Sequence, residues 1–495
     1  MTPKEYLKDK KVLVMGLGLL GGGITATKWL LKHGAKVTVT DLKDKKALAN
    51  SIKALGKYAK RARFVLGGHD EKDFKASEIV VVNPAVPKES KFLKIARESG
   101  AKLENEASLF FRFCKNPVIA VTGTRGKTTT VNWIHHLLKK KYPRAVLTGN
   151  SSDNPMLNVL DNLDGKSPVV VELSSWHLEL LSQSGQSLPR DEHQQVLRGP
   201  HIAVITNIYP DHLNRYKNLN EYASAKANIF KDQTKDDFLI LNKNNEWTKF
   251  FLGKKPKSKV LFTPFSPSPR FAGEAGPFPP FSPFSLFTPL TPWGKHNIQN
   301  SMMAALAANL AGVSWNLIKK GIKTLPQVKF RQEIILKNKN LIVVNDTTAT
   351  SPDGTIAALK RFGNQGLTLI LITGGTDKNL IFNEWAKAVK KSVKKENLFL
   401  LEGSATSKMI EKLDKIKYFG SEPPQLFLNF EILLTSALKR AKLVKGKVKL
   451  RLRKSMPRMY NNGGAESRTE VGAQKYSSAN KNQQTSGART ILLFS

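Results

Sequence analysis

Short apolar runs alternate with stretches of helical periodicity along most of the chain. KVLVMGLG (residues 11–18) and KVTVTD (36–41) have the length and β-branched content of buried strands. Between them, ITATKWLLKHG repeats its apolar positions at helical spacing and stops at Gly34. EIVVVNPAVP (78–87) predicts a third strand that ends in a proline-rich turn. The alternation begins again at Val118–Thr122 and continues through VVVEL (169–173) and HIAVITNI (201–208); helical periodicity returns in NIQNSMMAALAANLAG. A last unit starts near Pro326, with strands in LIVVND and LTLILITGG and a helix over SPDGTIAALKRF. Such alternation predicts an α/β fold of parallel sheets wrapped by helices. At 495 residues the chain is too long for one domain, and the expected division is 1–115, 116–325 and 326–495.

Two stretches break the pattern. Phe262–Pro292 holds nine prolines and seven phenylalanines, a density that excludes a central strand and predicts a surface insertion. Tyr460–Arg489 is rich in Asn, Gln, Ser and Gly and predicts a disordered or flexible insert. Just before it, Lys445, Lys447, Lys449, Arg451 and Arg453 alternate with other residues, which on a strand puts five cations on one solvated face.

Composition narrows the function classes. One cysteine, Cys114, excludes a disulfide framework and a cysteine-based zinc site, and suits a reducing cytoplasm. No apolar run approaches the roughly 20 residues that span a bilayer, and the glycine-dense Val12–Gly23 reads as strand and turn, not as a signal peptide. The formal charge of +40 comes from lysine spread over the whole chain, without the interleaved aromatics of a nucleic-acid surface. A lysine-rich source whose soluble proteins are all basic, serving anionic substrates, fits that charge better than nucleic-acid binding does.

The strongest chemical signal is VIAVTGTRGKTTT, Val118–Thr130: a buried strand, a glycine loop, then a helix. Gly123 and Gly126 let the backbone approach a phosphate, with Thr124 and Thr129 in the same loop. Lys127 can reach the outer phosphates and Thr128 can offer a hydroxyl to Mg²⁺. A second glycine motif, GLGLLGGG (16–23), is followed by Asp41 at the end of the next strand, the layout of a dinucleotide-type fold. Glu172, Asp211 and His212 follow strands, where open α/β sheets place their sites, and Lys226 lies in the helical EYASAKANIF.

Read in order, TGTRGKTTT, VELSSWHLE, TNIYPDHLNRY with Lys226 beyond it, GKHNIQNSMMAALAA, FRQE, NDTTATSPDGTIAAL and LILITGGTDKN resemble the successive signatures of the Mur ligase family. The match runs over roughly residues 10–410, and ELSSWHLE, GLGLLG with Asp41, and NPAVP (83–87) resemble its D-glutamate-adding members. The resemblance implies a three-domain architecture: a Rossmann-like N-terminal domain, a P-loop-type central domain and a Rossmann-like C-terminal domain. It implies ATP and two Mg²⁺ ions as cofactors and a monomeric cytoplasmic enzyme without a membrane span. Its substrates would be UDP-N-acetylmuramoyl-L-alanine and D-glutamate, joined through an acyl phosphate during peptidoglycan precursor synthesis.

By the same resemblance the UDP substrate falls to Gly18, Leu19, Leu20, Asp41, Asn83 and Asn150. ATP falls to Gly123, Thr124, Gly126, Lys127, Thr128 and Thr129, with Asn297 and Asn300 near the adenine and Arg331 and Asp346 near the ribose and phosphates. Thr128 and Glu172 would hold one Mg²⁺; His212 and a carbamylated Lys226 would hold the other. Lys127, Glu172, His212 and Lys226 form the catalytic set, and Thr350 and Lys378 would grip D-glutamate.

Three features depart from the family pattern. Thr348 stands where many D-glutamate ligases carry lysine. The Phe/Pro-rich segment before KHN is longer than the family pattern leads one to expect, and its sequence resembles nothing in the family. Ile491–Ser495 (ILLFS) resembles the strand that leads into a Pro-Ala-x-Ala-Ser loop and an acceptor-contacting Phe, and the chain as written stops there. The expectation drawn from this is nucleotide binding with impaired ligation. Another Mur or folylpolyglutamate-type amino-acid ligase is the alternative within the class.

Overall fold

The computed structural model describes residues 1–19, 21–150, 154–181, 198–213, 215–263, 266–267, 294–338, 341–363, 367–441, 450–453, 470–473 and 490–495. Leu20 lies outside them, as do most of the Phe/Pro-rich and Asn/Gln-rich stretches and Lys445, Lys447 and Lys449. The chain forms two compact units. One comprises Met1–Tyr209, Arg215–Pro289 and Asn297–Leu325; the other comprises Pro210–Asn214, Leu290–His296 and Pro326–Ser495.

The first unit contains two sheets. β1 (Lys11–Met15), β2 (Lys36–Asp41), β3 (Arg63–Leu66), β4 (Ile79–Val82) and β5 (Lys102–Glu104) pair in parallel in the order β3-β2-β1-β4-β5. The chain leaves β1 toward β2 and later returns to its other side as β4, so the carboxyl ends of β1 and β4 flank a topological switch point. The helix Gly22–Lys32 covers one face, burying Trp29, Leu30 and Leu31 against Val12, Val14 and Val37.

The second sheet has the order β12-β11-β10-β9-β6-β8-β7. Its strands are β6 (Val118–Thr122), β7 (Val146–Gly149), β8 (Val169–Glu172), β9 (Ile202–Ile205), β10 (Phe238–Asn242), β11 (Lys259–Thr263) and β12 (Ser266–Pro267). All pairs are parallel except β11 with β12. β6 is buried along its whole length, as a central parallel strand covered on both faces must be. The sheet also corrects the expected start of the proline-rich excursion. Phe262 and Thr263 are buried strand residues of β11, and Ser266–Pro267 pairs at the sheet edge, where proline is tolerated.

The other unit holds a six-stranded sheet in the order β13-β14-β20-β15-β16-β17. Its strands are β13 (Glu333–Lys337), β14 (Leu341–Asn345), β15 (Thr368–Gly374), β16 (Leu398–Leu401), β17 (Leu426–Phe427) and β20 (Thr490–Phe494). β13 runs antiparallel on the edge; the other pairs are parallel. Ile491–Phe494 therefore lie in a central strand, with Ile491, Leu493 and Phe494 almost fully buried. A separate antiparallel pair, β18 (Leu450–Arg453) and β19 (Glu470–Ala473), shows that Glu470–Ala473, inside the stretch expected to be irregular, is strand. Backbone pairing of this kind needs little apolar side chain, so composition alone hides it.

Candidate functional site

The loop after β6 sits at the carboxyl edge of the second sheet, between the ends of β8 and β9. Glycine is required at both ends of it. Gly123 has φ +137° and a Cβ there would stand 1.9 Å from Thr206 Oγ1; Gly126 has φ +82° and a Cβ would stand 2.3 Å from Asn300 Oδ1. Neighbouring strand ends fix the loop between them. Thr124 N–H donates to Asn207 O at 2.8 Å, Arg125 N–H to Asn207 Oδ1 at 2.9 Å, and Thr206 Oγ1 to Arg125 O at 2.6 Å. Gly126 then serves as N-cap of the helix Lys127–Leu138, whose first N–H groups carry the positive end of the helix dipole. The Lys127 ammonium folds back on this loop, donating to Gly123 O at 3.0 Å and Thr124 O at 3.1 Å.

Several expected site residues come to the same edge. Glu172, 7% exposed, ends β8, and its carbonyl accepts from Asn150 N–H at 2.9 Å. Gly149 before it has no room for a side chain, since a Cβ would lie 2.3 Å from Glu172 O. Asn297 and Asn300 lie on the helix Lys295–Leu310, joined by an Asn300 Nδ2 to Asn297 Oδ1 bond of 3.3 Å, and Asn300 borders Gly126. Lys226, on the helix Leu219–Ala227, is 1% exposed, and its nitrogen lies 4.5 Å from the centre of the Tyr222 ring. Thr124 Oγ1 donates to the Tyr222 hydroxyl at 3.3 Å and so ties that helix to the loop. Thr128 and Thr129 occupy the first helical turn after Lys127.

The first sheet provides a second crevice at its switch point. The Asp41 carboxylate accepts from Gly18 N–H at 3.0 Å and from Lys43 N–H at 2.9 Å, which fixes the glycine loop against the end of β2. Asn83 follows β4 and packs on the same loop: its Nδ2 donates to Gly16 O at 3.3 Å, and a Cβ on Gly16 would stand 2.9 Å from Asn83 Cβ. Gly23, where a Cβ would meet Gly16 O at 2.3 Å, lets the following helix seat directly on the loop. Leu19 is half-buried beside it.

The remaining expected residues lie in the other unit. His212 has φ +54°, a strained backbone for a residue other than glycine, and its N–H donates to Asp211 Oδ1 at 2.9 Å. Arg331 stands between two more such residues, Phe330 (φ +62°) and Gln332 (φ +48°), and donates to Thr348 O at 2.7 Å. Asp346 directly follows β14: its Oδ1 accepts from Gln332 N–H at 3.0 Å, while Oδ2 is buried with no hydrogen-bond partner among the described residues. Burial pushes its carboxyl up to about 7 against the opposing pull of that bond, Arg331 and Arg361. Thr350 is half-buried in the loop that follows, and Lys378 lies in the loop after β15 next to Asp377, which pairs with Lys408 and accepts from Asn379 N–H. Thr348, in the position expected to be lysine, donates to Phe330 O.

Sequence reasoning missed Arg215 and Glu179. Both lie inside motifs it quoted, but their partners are distant in the chain. Among the described residues, no group of three or more His, Cys, Asp or Glu side chains converges to form a ready metal centre.

A family model for the Mur ligase middle domain matches residues 121–308, and one for the MurD-like N-terminal domain matches residues 10–104. The UDP-N-acetylmuramoylalanine–D-glutamate ligase of Borreliella afzelii (strain PKo) is 37% identical over 446 residues, covering 87% of this chain and 92% of the relative. The ligases of that name from Borreliella burgdorferi (strain ATCC 35210 / DSM 4680 / CIP 102532 / B31) and Roseiflexus sp. (strain RS-1) are 35% and 36% identical. These matches cover 87% and 81% of this chain, and 92% and 85% of the relatives. The chain belongs to the Mur ligase family and is an ATP-dependent carbon–nitrogen ligase.

Proposed function

We propose that this ligase adds D-glutamate to UDP-N-acetylmuramoyl-L-alanine. The observation that carries the reading is its similarity, over 87% of its length, to a relative named for that reaction. The setting is cytoplasmic peptidoglycan precursor synthesis, and through it cell shape and division.

The residues support a sequence of binding and phosphoryl-transfer steps. The Gly123–Thr129 loop cradles ATP with backbone N–H groups, and Lys127, released from its own loop carbonyls, turns to the outer phosphates. Asn297 and Asn300 flank the adenine end. Gly18, Leu19, Leu20, Asp41 and Asn83 hold the UDP moiety, with Asn150 toward the muramoyl group. The substrate carboxylate attacks the γ-phosphorus of ATP to form an acyl phosphate, and the bond to the bridging oxygen breaks to release ADP. The D-glutamate amine attacks that carbonyl, and the tetrahedral intermediate expels phosphate. Holding three substrates in line supplies much of the rate enhancement.

The donors fit Mg²⁺ in part. The buried Glu172 carboxylate and the Thr128 hydroxyl are hard oxygen ligands beside the phosphate loop, but Lys226 offers an oxygen only as its carbamate. When bound, Mg²⁺ would neutralise phosphate charge. The roles of His212, Arg331, Asp346, Thr350 and Lys378 are proposed on the family resemblance alone.

The test is ATP-dependent phosphate release with UDP-N-acetylmuramoyl-L-alanine, run separately with D-glutamate, L-alanine, L-lysine and no amino acid. Release with D-glutamate alone is expected. Release with another amino acid in its place would refute the assignment, and so would no release at all.

A further inference from the structure

We propose that Arg215 is a positioning residue for the nucleotide-sugar substrate, acting through the Asn83–Val86 turn that walls its crevice. The inference rests on the reading of that crevice as the UDP site. Arg215 lies three residues beyond His212 in sequence, and its side chain is only 14% exposed. Its Nε and Nη2 form a fork on the Glu179 carboxylate, at 3.2 Å to Oε1 and 2.7 Å to Oε2. The same guanidinium donates from Nη1 to Pro84 O at 3.0 Å and from Nη2 to Val86 O at 3.2 Å. Its plane lies over the Trp176 ring, with the central carbon 4.7 Å from the ring centre.

One side chain therefore joins two parts of the first unit. Glu179 and Trp176 belong to the helix Ser175–Leu181, which follows Glu172 after a short turn. Pro84 and Val86 belong to the turn after β4, whose Asn83 contacts Gly16 on its far side. That turn is closed locally by Val86 N–H to Asn83 O at 3.0 Å and Ala85 N–H to Asn83 Oδ1 at 3.1 Å. Its outward carbonyls are held by Arg215. Beside the clamp lies a cavity of about 260 Å³ lined in part by Asn83, Trp176, Glu179 and Arg215. Space next to a fixed turn means that the turn can shift once its fixing group is lost, carrying Asn83 away from the glycine loop.

Arginine suits the position because five donors in a planar fork satisfy a carboxylate and two carbonyls together. Lysine keeps the charge opposite Glu179 but cannot make all four bonds. A role confined to fold stability would lower the unfolding midpoint and leave the affinity of the folded enzyme unchanged.

The test uses the full chain and its R215K, R215A and E179Q variants. Calorimetry gives the Kd for UDP alone, the phosphate-release assay gives KM for the UDP substrate and for ATP, and urea unfolding gives stability. In R215K the UDP Kd and the UDP-substrate KM are expected to rise at least about fivefold, the cost of one or two hydrogen bonds, with ATP KM far less affected. R215A is expected to exceed R215K, and E179Q to fall between wild type and R215A. An unchanged UDP Kd in folded R215K and R215A overturns the proposal, as does an equal rise in ATP KM. If the wild type shows no D-glutamate-dependent release while R215K still weakens UDP binding, the ligase assignment fails and the positioning role stands.

Discussion

The Lys226 nitrogen lies 4.5 Å from the centre of the Tyr222 ring, and both side chains are 1% exposed. The ring face offers the ammonium an electrostatic partner where water is excluded. The Tyr222 hydroxyl meets Thr124 Oγ1 at 3.3 Å, so one aromatic side chain supports both the buried lysine and the glycine loop after β6. Tyr222→Phe keeps the ring and is expected to cost about 1 kcal/mol, the worth of one neutral hydrogen bond. Tyr222→Ala removes the ring as well and is expected to cost about 3–5 kcal/mol. Urea unfolding of the two variants separates these effects, and equal midpoints would show that the ring gives no support.

Gly126 makes a sharper prediction. Its φ of +82° disfavours any side chain, and an added Cβ would stand 2.3 Å from Asn300 Oδ1. Gly126→Ala is expected to weaken ATP binding at least about tenfold, since the left-handed backbone alone costs about 1–2 kcal/mol. UDP affinity should be unchanged. Combining it with Asn300→Ala removes the clash but not the backbone strain, so only part of the stability that Gly126→Ala loses should return. Full recovery of the urea midpoint, relative to Asn300→Ala alone, would show that strain at Gly126 is unimportant.

How far these sites could be read in advance follows from the range of the interactions behind them. The strand–loop–helix shape around Gly123–Gly126 was legible because its requirements are local: glycine where φ is positive, a buried strand before it and a helix after it. Glu172 was legible for the same reason, as an acid closing an apolar run. The Arg215 clamp was not, because its partners Pro84 and Val86 lie about 130 residues away and no periodicity records that approach. Strand order was hidden similarly. ILLFS reads as a strand, but its insertion between β14 and β15 is set by pairing across the whole last unit. Phe262 falls within the proline-dense stretch because that stretch overlaps the end of β11.

Asp41 accepts from both Gly18 N–H and Lys43 N–H, so its first task is to shape the crevice around the glycine loop. Asp41→Asn keeps one acceptor oxygen but puts an NH₂ donor where the other stood, against a backbone N–H. The variant is expected to lose about 2 kcal/mol of UDP affinity, roughly a 30-fold rise in Kd, because a charged acceptor is worth about 1.5–3 kcal/mol. ATP affinity should hold. A variant that binds UDP as wild type does would mean that the loop keeps its shape without the carboxylate.

Asp346 sets a pH dependence with a definite sign. Burial raises its carboxyl from 3.8 to about 7 in the folded chain, partly opposed by Gln332 N–H and by Arg331 and Arg361. Between those two values the folded state therefore holds more protons than the unfolded state does. Stability should fall as pH rises through this window and level off above about 7, the opposite of a salt-bridged aspartate. Asp346→Asn keeps an acceptor for Gln332 N–H, carries no charge and should flatten that part of the profile. The variant is expected to gain on wild type between pH 5 and pH 8 by on the order of 2–3 kcal/mol. Urea unfolding at those two values measures the gain. Parallel profiles for the two proteins would mean that Asp346 is already ionised at pH 5, with the two arginines outweighing its burial.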